Sequence, residues 1–402
     1  MRTALLLLPS FLLACSGDGK DTETDTQPVD CSDRPSDIPT ARGEIAGGYD
    51  DATGKFVFFG GDEGVPVNCS SQTSFVKDTW LWESDCGNFR EVDASGPNAR
   101  GRYAGAAGGG KFYVHGGRFR DGTSGDYTVR PDLWAFDFAS ETWAEMSGDG
   151  PSKRNNHAAA VVAGGKLVIH GGTGSTNGLS YSPLYGDTWV YDPGSSSWSE
   201  LAGAGGPARV FHALASDGQN RVWLFGGGDE NAFSGPFFKD VWELDVSAGT
   251  WTRLHDGNNK APDGRIWPNL AYDAAHNQLV MFAGHDDRAL GNSNAVWTFD
   301  LATDKWTERR GGDVVDAGAN GFCDFPADFV AADFDSPERR YGAAMAITGD
   351  GRLVTFGGKT DCGIINDLWT YDIARDAWTR VLRATDGESC IRAYDDCTAL
   401  CF

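Results

Sequence analysis

The chain has 402 residues, with 54 glycines, 14 tryptophans and a formal charge of −23 from 57 acidic against 34 basic residues. That charge, without any run of Lys and Arg to displace phosphate counterions, argues against nucleic acid as a partner and leaves cationic ligands, neutral sugars and basic protein surfaces open. The aromatics exclude a disordered glycine-rich chain, and the length calls for several domains or a repeat array.

The first residues, MRTALLLLPSFLLAC, combine a basic start with an apolar run from Ala4 to Leu13. The run is too short to span a bilayer and has the shape of a secretory signal over residues 1–14. Leu12-Leu13-Ala14-Cys15 resembles the bacterial lipobox, which implies that Cys15 is lipidated and starts the mature chain. Ser16, rather than an aspartate, follows the cysteine and resembles the outer-membrane sorting signal. Contact with the membrane is then through the anchor only. Residues 15–41 lack aromatics and are rich in Asp, Thr and Pro, so they read as a solvated tether. Beyond Cys15 there remain Cys31, Cys69, Cys86, Cys323, Cys362, Cys390, Cys397 and Cys401, an even number that suits disulfides in an exported protein. No CxxC or Cys/His cluster has zinc-site spacing, so no metal is expected.

From Arg42 to residue 382 a unit of about 55 residues recurs six times. Each opens on a Pro-x-x-Arg type entry, as in PSKRNNHAAAV, and continues with an apolar run ending in paired glycines, such as LVIHGG. A hairpin follows: DTWVYDPGSSSW returns as DLWAFDFASETW, DVWELDVSAGTW, AVWTFDLATDKW, DLWTYDIARDAW and DTWLWESDCGNF. The nine-residue spacing between its aromatics fixes one turn length and one register throughout. Four short strands per unit follow from this pattern, with the glycines at a strand end that needs positive φ or close approach. A four-stranded sheet cannot bury both faces alone, whereas six arranged radially can.

The order Pro-x-x-Arg-x-x-His-x-Ala, apolar-Gly-Gly, Asp-x-Trp-x-Tyr-Asp and Trp-x-x-Leu resembles the kelch motif over nearly all of residues 42–382. The resemblance implies an all-β, six-bladed β-propeller of four-stranded antiparallel blades, each built from contiguous chain. A Cys-rich tail, residues 383–402, follows the last blade.

Features present in every blade are expected to serve every blade. Arg42, Arg100, Arg154, Arg209, Arg265 and Arg340 enter the six units, and an aspartate stands two residues before the hairpin tryptophan in five of them. Their pairing is the economical reading. His115 and His170 replace the phenylalanine before the glycine pair and read as satisfied core histidines; His157 and His212 fill the motif's own histidine slot.

Function is expected where the symmetry fails. The loops after the glycine pairs differ in every blade, and all emerge on one face. Blade five departs furthest, and after it comes an insertion, residues 311–336, with six aspartates, four phenylalanines and no Lys or Arg. A pairing of Cys323 with Cys362 would clamp it over that face. The candidate site is a shallow, acidic, aromatic-rimmed mouth around Trp267, His285, Asp286, Asp287, Asp229, Phe233, Phe237 and Phe238, with Phe322 and Phe325 from the insertion. Aromatic faces with carboxylates suit sugars, cations or basic peptide segments. The leading expectation is therefore a monomeric, cofactor-free recognition module displayed on a lipid anchor, with a protein or glycan partner of the cell envelope. The alternative is an enzyme resembling the kelch sugar mutarotases or the copper-dependent galactose oxidase; an acid/base pair containing His285 would serve the former.

Overall fold

A computed structural model of the protein describes residues 37–64, 72–258, 260–286, 291–313, 335–360 and 363–385. Six four-stranded antiparallel sheets run in chain order. Their innermost strands are Gly47–Asp50, Ala104–Gly108, Ala158–Val162, Ala213–Ser216, Asn269–Asp273 and Ala344–Ile347, and their outermost strands end with Ala377–Leu382. Each innermost strand packs against the next, and the first also packs against the last, so the sheets close into a ring. Every blade uses contiguous chain, as the kelch pattern implied.

The second strand of each blade is sandwiched between two neighbouring sheets. It is apolar along most of its length, like a strand buried on both faces: Phe56 to Phe59, Leu167 to Ile169 and Leu279 to Phe282 are all fully buried. The outermost strands instead each bury one tryptophan, Trp143, Trp251, Trp306 or Trp378, among exposed or half-buried neighbours.

Those outer aromatics weld the ring. Each packs on the residue just before the glycine pair of the preceding blade. Trp143 lies 5.4 Å from Phe59, Trp198 5.2 Å from His115, Trp251 4.9 Å from His170, Trp306 5.0 Å from Phe225 and Trp378 4.8 Å from Phe282. The sixth contact, Phe89 to Phe356 at 5.2 Å, joins blades one and six. His115 and His170 are thus buried packing partners of a tryptophan. His115 Nδ1 also meets His157 Nε2 at 2.8 Å, and His170 bonds Thr188 Oγ1 and the Pro207 carbonyl at 2.9 and 3.0 Å. Burial depresses both, His115 to about 3 and His170 to about 4, so both stay neutral.

Both glycines of each pair adopt positive φ, 68° and 90° at Gly171 and Gly172, for example. The second donates its N–H to the carbonyl of the next blade's entry arginine: Gly61 to Arg100, Gly117 to Arg154, Gly172 to Arg209, Gly227 to Arg265, Gly284 to Arg340 and Gly358 to Arg42, all at 2.8–3.0 Å. A Cβ on Gly172 would stand 2.6 Å from His157 Cβ, so that approach requires glycine. Cys86 is disulfide-bonded. Cys15, Cys323 and Cys362 lie outside the described residues.

Candidate functional site

The site begins at the entry arginines, which are structural. Arg154 is fully buried and pairs bidentately with Asp187 at 2.7 and 2.8 Å while donating to the Gly171 carbonyl at 2.9 Å. Asp187 also accepts the indole N–H of Trp189 at 2.8 Å. The same node joins Arg100, Asp132 and Trp134; Arg209, Asp240 and Trp242; and Arg340, Asp367 and Trp369. In blade one, Arg42 reaches Asp78 at 2.5 Å and Glu63 at 3.0 Å. Blade five has Ala295 in the aspartate position, and Arg265 there bonds the Ala283 and Asp263 carbonyls. Burial would raise Asp132, Asp187 and Asp240, but their arginines and indoles outweigh it and hold each below its ordinary value.

Two residues beyond each arginine stands a residue forced to positive φ: Glu44, Arg102, Asn156, Phe211, Trp267 and Gly342, between 49° and 61°. That conformation turns the N–H sideways to the neighbouring blade. Arg102 N donates to Glu44 O, Asn156 N to Arg102 O, Phe211 N to Asn156 O and Trp267 N to Phe211 O, at 2.8–3.0 Å. Ile45 N donates to Gly342 O at 3.2 Å. A main-chain girdle therefore spans five of the six blade junctions at the loop face, and it presents five different side chains and the bare Cα of Gly342. A second set, directly after the glycine pairs, consists of Asp62, Arg118, Thr173, Gly228, His285 and Lys359.

These side chains build a mixed-charge plug. Glu44 accepts from Arg102 at 2.8 Å and Lys359 at 3.2 Å, and faces Arg118 at 3.6 Å; Lys359 also reaches Asp62 at 2.8 Å. Burial would raise the Glu44 carboxyl, but Arg102, Lys359 and Arg118 hold it well below its ordinary value. Burial, with repulsion from Arg102, lowers Arg118. Arg102 lies over Trp267 at 4.8 Å and Phe211 at 5.4 Å, Trp267 stacks on Tyr341 at 4.9 Å, and Arg118 covers Tyr127 at 3.8 Å. Beneath the plug a cavity of about 390 Å³ runs along the axis, lined by the innermost strands as far as Gly109 and Gly218 at the opposite face.

Above the plug, the loops of blades two to four interlock. Tyr127 N donates to Thr176 O at 2.8 Å, and Tyr181 N to Glu230 O at 3.0 Å. Tyr181, Val210, Phe211, Ala232 and Ile266 bury one another, with Phe233, Phe237 and Trp267 packed against them.

The residues expected from sequence fall into three groups. Trp267 belongs to the girdle, with Phe233 5.6 Å away. Phe237, Phe238 and Asp229 shape the blade-four loop: Phe237 pairs with Gly228, Phe238 covers Arg209 at 4.5 Å, and Asp229 accepts the Asn231 N–H at 2.8 Å. His285 is 1% exposed, with Nδ1 2.6 Å from Asn292 Oδ1, so it is not open to solvent. Asp286 continues its short strand. Asp287, Phe322 and Phe325 lie outside the described residues. The described mouth differs from the open acidic one expected, because its two carboxylates are buried against three cations. Glu44, Arg102, Asn156, Phe211, Arg118 and Lys359 were missed. The signal was present as the second residue after each entry arginine, which is a different type in every unit. Among the described residues no three His, Cys, Asp or Glu side chains stand together as a metal site, and no helix is long and apolar enough to cross a membrane.

A family model described as the KLHDC2/KLHL20/DRC7 Kelch-repeats domain matches residues 21–227. The chain belongs to the kelch-repeat family. This kelch chain is 29% identical over 297 residues to the N-(sulfonatooxy)prop-2-enimidothioate sulfolyase of Thlaspi arvense, covering 68% of its own length and 75% of the sulfolyase. It is 27% identical to the leucine-zipper-like transcriptional regulator 1 homolog of Drosophila melanogaster over 62% of the chain, and 24% identical to human Kelch domain-containing protein 10 over 64%. It spans only 23% and 53% of those two proteins. The structure of YjhT superposes with a TM-score of 0.61 over 86% of this chain and 99% of that one, at 15% identity, a likeness of fold.

Proposed function

We propose that this kelch propeller is a non-enzymatic recognition module, held at the cell envelope by lipid on Cys15, that presents its loop face to a protein or glycan partner. Kelch domains generally mediate protein interactions, and the crown of blades two to four supports the same use here. Its loops are tied to one another by main-chain hydrogen bonds, so little order remains to be lost on binding. At its summit Leu179 is 88% exposed, on a turn where Asn177 Oδ1 accepts the Leu179 and Ser180 N–H groups at 2.9 Å each. The crown is the observation that carries the reading. The test is binding of the full chain to arrayed glycans and purified envelope proteins. A ligand whose binding falls with Leu179→Asp, or on deleting residues 311–336 while folding persists, supports the module. Binding unchanged by both would overturn its placement. Cys15→Ala should also release the protein from the membrane fraction.

One observation favours an enzyme instead: the similarity to the sulfolyase, together with Glu44 and Arg102 facing the axial cavity. Turnover of that relative's named compound or of a sugar by the wild type, abolished in Glu44→Gln, would replace the module reading.

A further inference from the structure

The six seams of the ring are not equal. Where the first and last blades meet, the ties are complete. Gly358 N donates to Arg42 O at 2.8 Å and Ile45 N to Gly342 O at 3.2 Å, Phe58 stacks on Phe356 at 4.4 Å, and Lys359 reaches Glu44 and Asp62. Asn366 adds a clip, its amide donating to Pro39 O at 3.0 Å and accepting the Thr385 N–H at 2.9 Å. The seam that lacks ties is the one between blades five and six.

Four observations converge there. The girdle is open at this junction among the described residues, since no bond from Gly342 N reaches Trp267 O. The residue before the cross-seam donor Gly284 is Ala283, fully buried and held at φ 64°, a left-handed conformation that strains an L-residue and that glycine adopts freely in the other five blades. Trp378 Nε1 is buried without an acceptor. Its counterparts Trp143 and Trp251 donate to Thr79 and Thr188 Oγ1 at 2.9 Å each, from the position just before the preceding blade's hairpin tryptophan, where blade five has Val296. A buried donor left unmatched is destabilising. Trp306 shares this defect between blades four and five, but there the girdle bond from Trp267 N to Phe211 O is intact. Finally, short stretches such as Met146 to Arg154 link the earlier blades, whereas Arg310 to Arg340 encloses the insertion, so covalent continuity restrains this junction least.

What holds the seam is an apolar core, with Phe282 4.8 Å from Trp378 and Trp267 stacked on Tyr341, together with main-chain bonds from Gly284 to Arg340 and from Arg340 to Ser293 at 3.0 and 3.2 Å. Asn294 Nδ2 donates to Pro337 O at 3.0 Å, and at the outer rim Arg309 pairs with Asp376 at 2.8 and 2.9 Å.

We propose that the ring is a clasp that opens reversibly between blades five and six, with blade six staying seated on blade one. Opening parts Trp378 from Phe282 and Arg309 from Asp376. It also opens the axial cavity sideways, because the strands Asn269–Asp273 and Ala344–Ile347 that flank this seam both line it.

The test is native-state hydrogen exchange of the full chain, read by mass spectrometry. Corrected for intrinsic rates, the amides of Gly284 and Arg340 should exchange at least about tenfold faster than those of Gly172 and Arg209, which make the same bonds between blades three and four. They should also exchange faster than Gly358 between blades six and one. Val296→Thr supplies the missing acceptor and should slow exchange at Gly284 by about threefold to tenfold. Thr79→Val removes the acceptor of Trp143 and should speed exchange at Gly61, whose N–H crosses that seam to Arg100 O, by a similar factor. Equal exchange at Gly284 and Gly172, earlier exchange at Gly358, or an unchanged rate at Gly284 in folded Val296→Thr would overturn the assignment. The wild-type comparison decides the outcome even if Val296→Thr fails to fold.

Discussion

Two positions on one loop, two residues apart, follow opposite rules. At Arg154 and its equivalents the chain repeats itself: a buried guanidinium, an aspartate, an indole and a glycine carbonyl form the same node in five blades. At Asn156 and its equivalents the chain writes six different residues, five side chains and a glycine, in one backbone conformation. The difference shows how a repeat fold separates the positions that fix a loop from the positions left free to vary. The node fixes the loop and the main-chain girdle fixes the left-handed residue, so the identity of that side chain is left free. Variation is tolerated there because the backbone, rather than the side chain, makes the interblade bonds.

The contrast can be broken most severely at the node. Arg340 and Asp367 are its most deeply buried pair, so Arg340→Met should lose about 3–5 kcal/mol by leaving an uncompensated carboxylate. The double variant Arg340→Met with Asp367→Leu should recover most of that loss in urea unfolding. If the single and double variants lost the same amount, the pair would not be what holds the entry loop.

Next in size is the glycine pair. Gly172→Ala adds a Cβ at φ 90° that meets His157 and the Asn155 carbonyl. It should cost about 2–3 kcal/mol in the same assay, through strain and overpacking. Retention of full stability would mean that the interblade bond from Gly172 to Arg209 is dispensable.

The interblade packing slot makes a pH prediction. His115 and His170 are neutral in the fold and depressed to about 3 and about 4, whereas the unfolded chain takes up protons near its ordinary histidine value. The unfolded state therefore binds more protons between about pH 6.5 and 4, and stability falls as pH drops through that window, by about 1–3 kcal/mol. Phenylalanine fills the slot as Phe59, Phe225, Phe282 and Phe356 in the other blades. His157 and His212 are depressed by burial as well, so the variant His115→Phe with His170→Phe should reduce this slope by about half rather than abolish it. An unchanged slope would assign it to other groups.

The smallest effect lies in the hairpin turn. Ser196 is exposed at φ 52°, where blade four has Gly249 at 62°. Ser196→Gly should gain about 0.5–1 kcal/mol, visible as a small rise in melting temperature.

The fold was legible because its determinants are side-chain patterns. The mostly apolar second strands, the aromatics nine residues apart, the paired glycines and the recurring arginine and aspartate each encode a local geometry, and the copies agree apart from blade five, where Ala283 and Ala295 replace a glycine and the aspartate. Trp267 and the mismatched loops pointed to the loop face, where the girdle residues stand. The girdle was not legible, because main-chain hydrogen bonds between neighbouring blades leave no mark on residue type. Glu44, Arg102, Asn156 and Phe211 therefore looked like filler between the motif's arginine and histidine. The expected acidity of the mouth came from counting loop aspartates. The cations that neutralise Glu44 and Asp62 come from other blades, Arg102 and Arg118 from blade two and Lys359 from blade six, and only ring closure brings them together.

The central claim is that the node carries stability and that the girdle position two residues on is free to carry recognition. The most direct test compares urea midpoints of Arg154→Met and Asn156→Gly, on one loop of one blade. The first should fall by the equivalent of about 3–5 kcal/mol, and the second should stay within about 1 kcal/mol of wild type. Equal losses at the two positions, or the larger loss at Asn156, would contradict the account.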